Sequence, residues 1–241
     1  KVDRFDEVKC KADLTKEGNP ACLTDKCGRR VVDDLFSDED IQTLHAIVEK
    51  GMSGRENKGG PTILDINTGY IRDTVGLDNL FYGNAPVYTD QDFAHYGRII
   101  STLKAAVADT FQLQELYFTA PTFITRLDGN PAWEAASMHD EYWHPHADHN
   151  NTEHYHYSGL LYMSTYEKDF TGGKFRFIRP EFDLFEQASE AKGRVTNLAT
   201  PTDADVELEV EPRAGRVLIF TAGHENTHYV ERVTSGQRFV L

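Results

Sequence analysis

The stretch YWHPHADHN, residues 142–150, sets three histidines and an aspartate within nine residues, with His139 before it and His154 and His156 after it. Read as part of a strand, EYWHPHAD, it puts residues i and i+2 on one face, so His146 and Asp148 can aim an imidazole and a carboxylate at a single interior point. His144, two residues earlier, shares that face on an unbroken strand, and there it would line a pocket or take a ligand's place. His139, His149, His154 and His156 fall on other faces, in turns or in the following loop, where solvated or hydrogen-bonded side chains are the expectation.

An i, i+2 His/Asp pair is weak evidence alone, and its reading depends on what the rest of the chain brings to it. Two histidines and one carboxylate on one face of a metal suit non-haem Fe(II) and leave open positions for further ligands, but the third ligand must come from a distant segment. The histidines that follow are His224 and His228, in TAGHENTHYVERVTSGQRF. A turn at Thr234, Ser235 and Gly236 folds the next strand back beside His228 and brings Arg238 into the same hollow. A buried arginine offers a permanently charged fork for a carboxylate, as the distal carboxylate of 2-oxoglutarate would require. His228 is therefore the expected third ligand, and His224 is left in the loop. Tyr162, on LLYMST, can reach the same cosubstrate or serve the core.

Working outward, SDEDIQTLHAIVEKGMSG predicts a helix: Ser37 caps it with Asp40 three residues on, and Ile41, Leu44, Ile47 and Val48 form one stripe. A second helix is expected over 90–113, where Phe93, Ile99, Ile100, Leu103, Val107 and Phe111 recur on one side. A short strand at 62–65 lies between them. Beyond Tyr117 come short runs rich in β-branched and aromatic residues, broken by Gly, Pro, Asn and Asp: TFITRL, YSGLLYMST, KFRFIR, VELEV, GRVLIFT, THYVERV and QRFVL. The expected class is α+β, with a second half that closes as a jelly roll. The expected organisation is a Cys-containing extension at 1–34, a helical support region at 35–118 and the catalytic core at 119–241. The long 180–211 connection exceeds what a turn needs and reads as functional or irregular.

Composition narrows the partners. A formal charge of −14 over 241 residues, with 25 basic residues against 39 acidic ones, disfavours nucleic acid, whose affinity depends on clustered Lys and Arg. No run approaches the roughly 20 apolar residues of a membrane-spanning helix. Cys10, Cys22 and Cys27 all lie in the first 27 residues. Their clustering in a polar, Gly/Pro-interrupted segment suggests disulfides, hence an oxidising secretory compartment, with one cysteine left over and the pairing open. Asn150-Asn151-Thr152 is a glycosylation sequon compatible with that setting.

HPHAD, then SGLLYMSTYEKDFTGGKFRFIRP, then PRAGRVLIFTAGHENTHYVERVTSGQRF together resemble the catalytic domain of the prolyl 4-hydroxylase and procollagen lysyl hydroxylase superfamily. In that superfamily an H-x-D, a DF-x-GG-x-x-x-F hairpin and a histidine followed ten residues later by Lys or Arg make the site. DKCGRRVVDD, ILDINTGY and PTFITRL extend the likeness over nearly the whole chain. The resemblance implies a double-stranded β-helix with flanking N-terminal helices, with His146, Asp148 and His228 as Fe(II) ligands and Arg238 as the anchor of 2-oxoglutarate. It implies a dioxygenase that uses O2 to hydroxylate a prolyl or lysyl residue of a secretory-pathway protein, ascorbate keeping the iron reduced. It also implies a lumenal setting, in the endoplasmic reticulum or Golgi or beyond, often behind an N-terminal anchor. Two features depart from the pattern. The family's cosubstrate-binding Tyr on the strand before H-x-D is replaced by Thr125 or Arg126, and the 180–211 segment is long, so substrate recognition is expected to differ. A metal-retaining jelly-roll module without turnover and a hydroxylase of small molecules are the alternatives.

Overall fold

A computed structural model describes residues 1–11, 19–55, 59–119, 122–135, 141–151, 155–179 and 201–241. The chain runs β1 (Asp3–Val8), β2 (Cys27–Val32), α1 (Asp38–Met52), β3 (Gly60–Leu64), β4 (Tyr70–Arg72) and β5 (Leu77–Asn79). Then come α2 (Asp90–Phe111), β6 (Ile124–Asp128), the single helical turn α3 (Asp148–Asn151), β7 (Tyr157–Leu161), β8 (Phe170–Gly172) and β9 (Phe175–Ile178). β10 (Val206–Val210), β11 (Val217–Thr221), β12 (His228–Val230) and β13 (Val233–Val240) follow.

Three antiparallel sheets carry the orders β1-β2-β11-β7, β10-β9-β12 and β5-β4-β3-β6-β13-β8. The first and third are stitched together where Leu161 and Leu241 exchange backbone hydrogen bonds of 2.7 and 3.0 Å. Their joined wall faces the β10-β9-β12 sheet across a core of Val31, Tyr162, Phe175, Phe177, Leu218 and Phe220. This is the expected double-stranded β-helix. On the wall's other side α1 and α2 bury Ile41, Leu44, Ile47, Val48, Ile99 and Leu103 against Leu64, Ile124, Leu161 and Ile219. Each such side chain contributes roughly 1.5–3 kcal/mol by leaving water.

Both long helices start where the sequence places them. Ser37 Oγ accepts from the Asp40 amide while Asp40 Oδ2 accepts from the Ser37 amide, each at 3.1 Å, and Thr89 and Asp92 repeat the box on α2. α2 ends at Phe111 because Gln112 takes the left-handed conformation, φ 55°, so the helix stops short of Leu113.

Two expectations change, beyond the turn expected at Thr234, Ser235 and Gly236, which instead lie within β13 and pair it with β8, not with the strand of His228. The segment 1–34, expected as an extension apart from the core, packs into it: β2 lies between β1 and β11, with all its residues but Arg30 buried. The 35–118 region likewise adds β3, β4 and β5 to the sheet that contains β6 and β13. Cys10 and Cys27 form a disulfide, and Cys22 is a free thiol. The second change concerns EYWHPHAD, which is not a strand. Pro145 has no N–H to donate to a ladder; the His144 amide instead turns back to the Glu141 carbonyl at 3.2 Å, and the chain enters α3 at Asp148. Of the 180–211 connection, 203–205 form a 3₁₀ turn leading into β10, and 180–200 lie outside the described residues. No helix among the described residues is long and apolar enough to cross a membrane.

Candidate active site

His146 and His228 meet as an isolated antiparallel bridge, each backbone N–H donating to the other's carbonyl at 2.9 Å. That pairing sets the two rings 4.5 Å apart between centroids. Two residues later the chain begins α3, and the Asp148 carboxylate swings back so that Oδ1 lies 3.5 Å from His146 Nε2 and 3.6 Å from His228 Nε2. One ligand atom from each residue falls within 4.8 Å of the others, the only such cluster of three among the described residues. Convergence thus comes from a bridge and a helical turn, with no continuous strand beneath it.

Each donor is aimed by a second contact. His146 Nδ1 sits 3.0 Å from the His144 carbonyl and His228 Nδ1 sits 2.8 Å from the Asn226 carbonyl. A carbonyl can only accept, so both Nδ1 atoms carry a proton, which leaves the Nε2 of each ring facing the common point. Asp148 Oδ2 accepts from Ser158 Oγ, which leaves Oδ1 for the cluster. His228 is 3% exposed and stacks on Phe175, ring centroids 4.6 Å apart; burial pushes its pKa down to about 4. Burial opposes the charge on Asp148, yet the imidazoles of His228 and His146 with the Ser158 hydroxyl outweigh it and hold the carboxyl well below the usual range.

Arg238 is 2% exposed and Tyr162 is fully buried. Arg238 Nε donates to the Gly173 carbonyl at 2.8 Å, while its second terminal nitrogen and the Tyr162 hydroxyl have no hydrogen-bond partner among the described residues. A buried guanidinium nitrogen left unsatisfied is costly, and a carboxylate would satisfy it. Of the two β6 candidates, Thr125 borders the groove that Asp148 enters, whereas Arg126 engages Asp128 at 3.1 Å and the Arg55 carbonyl. That groove encloses about 550 Å³ between the barrel mouth at Asp148 and Ser158 and an apolar flank of Leu103, Val107 and Leu116.

The other histidines stay outside the cluster. His144 stands beside His146 with its Nδ1 against the Glu141 carbonyl, His149 bonds the Tyr155 carbonyl, and His224 opens a 3₁₀ turn. His139 and His154 lie outside the described residues. Asn150 of the sequon is exposed on α3. Ser158, Asn226 and Phe175 are the site residues that the sequence did not single out. The alternation of Ser158 and Leu160 along β7, continued by Tyr162 just beyond it, was the available signal for the first.

Two imidazoles and one carboxylate suit Fe(II) and leave coordination positions free, and the unsatisfied terminal nitrogen of Arg238 suits a dicarboxylate cosubstrate, so the donor set fits the metal and the diacid together. The 2OG-Fe(II) oxygenase superfamily model matches residues 133–241. The chain is 33% identical over its whole length to 2-oxoglutarate and iron-dependent oxygenase domain-containing protein 3 of Xenopus tropicalis, covering 69% of that protein. Its likeness to the Rattus norvegicus protein of the same name is 34% over 99% of this chain and 69% of the other. Among solved structures, a prolyl hydroxylase from Trichoplax adhaerens in complex with a hypoxia inducible factor peptide shares the fold, with a TM-score of 0.54 at 12% identity over 88% of this chain and 80% of that one. With the His/Asp/His cluster and the buried arginine, these likenesses make the chain a 2-oxoglutarate-dependent dioxygenase, a member of the 2OG-Fe(II) oxygenase superfamily.

Proposed function

We propose that the enzyme hydroxylates a prolyl or lysyl residue of a polypeptide in the secretory pathway. His146, Asp148 and His228 would hold Fe(II), and Arg238 with Tyr162 would hold the distal carboxylate of 2-oxoglutarate. Bound together, iron and 2-oxoglutarate supply the oxidative decarboxylation, to succinate and CO2, that drives O2 into a C–H bond. The chain's own residues do the rest. The carbonyls of His144 and Asn226 fix both imidazole tautomers, Ser158 orients Asp148, and the barrel's aromatic core keeps water away from His228.

The observation that carries the reading is the cluster of three ligand atoms within 4.8 Å beside a barrel that encloses a guanidinium with one terminal nitrogen unsatisfied among the described residues. A polypeptide substrate is supported by the open groove that ends at Asp148 and by the peptide bound to the Trichoplax adhaerens prolyl hydroxylase. The secretory setting is supported by the Cys10–Cys27 disulfide, a bond that persists in oxidising compartments. Ascorbate is proposed as the reductant that restores uncoupled iron.

The test is succinate release with Fe(II), 2-oxoglutarate and a broad pool of Pro- and Lys-containing peptides, beside an Asp148→Ala control. Release above the control, with a one-oxygen mass gain on proline or lysine, is the expected result. No release above the control overturns turnover and leaves a binding module; release without a modified peptide shifts the substrate to small molecules.

A further inference from the structure

We infer that Arg29, contributed by the N-terminal strand β2, is a positioning residue for the His228 ligand. Arg29 shares the barrel-facing side of β2 with Val31 and is 2% exposed. Its Nε donates to Asn226 Oδ1 at 2.6 Å and one terminal nitrogen donates to the Glu225 carbonyl at 3.1 Å. That nitrogen also lies 2.9 Å from Glu207 Oε2 on β10, and the guanidinium carbon sits 4.2 Å above the Phe177 ring.

These contacts converge on one short element. The Asn226 side chain is held on its other side too, its Nδ2 donating to the Thr221 carbonyl and to Thr221 Oγ1, each at 2.8 Å. Asn226 is 0% exposed, and its backbone carbonyl is the acceptor for His228 Nδ1–H at 2.8 Å. The 3₁₀ turn His224–Asn226 is thus pinned by Arg29 at two consecutive residues, Glu225 and Asn226, with only Thr227 between them and the histidine. Phe177, beneath the guanidinium, opposes His228 in the β9–β12 register. The geometry gives Arg29 two levers on His228: the carbonyl that fixes its tautomer and the aromatic layer behind its ring. Arg29 lies more than a hundred residues before the span that the family model matches. It supplies from β2 the outer-shell partner that ligating histidines need, and loss of such partners typically weakens metal affinity about 10- to 100-fold. Lysine cannot replace it, because a point charge cannot donate in two directions from one plane.

The inference rests on His228 being a metal ligand, so the test carries both questions. Co(II) affinity is measured by titration calorimetry, and Co(II) absorption recorded, for wild type, His228→Ala, Arg29→Lys, Arg29→Met and Asn226→Ala. Histidine tautomers are read by long-range ¹H–¹⁵N correlation in the metal-free proteins, and folding by circular dichroism. Wild type that binds no better than His228→Ala overturns the ligand reading itself. If wild type binds, folded Arg29→Lys and Asn226→Ala are expected to bind Co(II) on the order of 10-fold more weakly or worse, with mixed His228 tautomers. Folded variants with Co(II) affinity within about twofold of wild type and an unchanged His228 tautomer overturn the role of Arg29, since that spread is below what loss of an outer-shell partner gives. Failure of both Arg29 variants to fold, with Asn226→Ala binding like wild type, also overturns it, assigning Arg29 to the barrel core.

Discussion

The guanidinium carbon of Arg238 lies 5.3 Å from the centroid of the Tyr162 ring, with both side chains sealed inside the barrel. A cation at that depth needs an anion, and burial alone drags its pKa below the usual guanidinium range. Charge-assisted hydrogen bonds to a carboxylate are worth about 1.5–3 kcal/mol. Arg238→Ala is therefore expected to raise the 2-oxoglutarate requirement on the order of 10- to 100-fold while leaving Co(II) affinity unchanged. Tyr162→Phe, which deletes one neutral hydroxyl, is expected to raise it only several-fold. Steady-state kinetics against 2-oxoglutarate, with calorimetric metal titration, would check both. Equal losses of metal binding would contradict the division of labour.

Ser158 gives a second, separable prediction. Its hydroxyl occupies Asp148 Oδ2, and without it the carboxylate is free to rotate away from the His146 and His228 nitrogens. Ser158→Ala is expected to weaken metal binding roughly 10-fold with little change in melting temperature, since the side chain is small and only part-buried. A wild-type metal affinity would show that the backbone of α3 alone orients Asp148.

The site is legible where chemistry is written in residue type and spacing, and obscure where it is written in backbone geometry. His146, Asp148, His228 and Arg238 stand out in the sequence because few residues bind iron or a buried carboxylate. The strand expected beneath His146 and Asp148 does not form, because Pro145 breaks the ladder and the pair converges through a bridge and a helical turn. β2 escapes a sequence reading for a related reason: CGRRVV carries two adjacent arginines, and nothing local reveals that Arg29 is buried by partners nearly two hundred residues away. The helices are legible because the Ser37/Asp40 cap of α1 and the apolar stripe of α2 are local patterns, each written within a few turns.

The α1 cap also gives the fold a signature in acid. Hydrogen bonds from Arg98 and Ser37 lower the Asp40 pKa to about 2, from the usual 3.8. A carboxyl whose folded-state pKa is depressed contributes stability in full above its unfolded pKa and loses it as pH falls through the folded value. Wild type should therefore melt above Asp40→Asn at neutral pH, with a gap that holds down to about pH 4 and closes towards pH 2. A gap constant across that window, followed by circular dichroism, would remove Asp40 ionisation from the account.

The cysteines are open to direct titration. With Cys10 and Cys27 bridged and Cys22 free, denatured protein should present one reactive thiol per chain before reduction and three after it. Closing a loop with a sequence separation of 17 stabilises by about 3 kcal/mol in the chain-entropy account. Cys10→Ser should lower the melting temperature accordingly, while Cys22→Ser should not. Three free thiols in protein from its natural source would argue against both the bridge and the oxidising compartment.

The paired glycines of DFTGGKF have a physical reason that leads back to Arg238. Gly173 sits at φ 68°, and a Cβ there would come within 2.9 Å of Arg238 Cδ and of Val233 Cγ2. Its carbonyl is also the acceptor that holds Arg238 Nε. Gly173→Ala therefore combines left-handed strain of roughly 1–2 kcal/mol with a push on the side chain proposed to bind 2-oxoglutarate. Gly54 separates the two effects, being at φ 71° with nothing within 4 Å of the point a Cβ would occupy. Gly54→Ala should cost about the same strain and leave the cosubstrate requirement untouched. Gly173→Ala should lose more stability and raise the 2-oxoglutarate requirement as well. If the two alanine variants matched in both melting temperature and 2-oxoglutarate dependence, the close approach of Gly173 to Arg238 would have no part in cosubstrate binding.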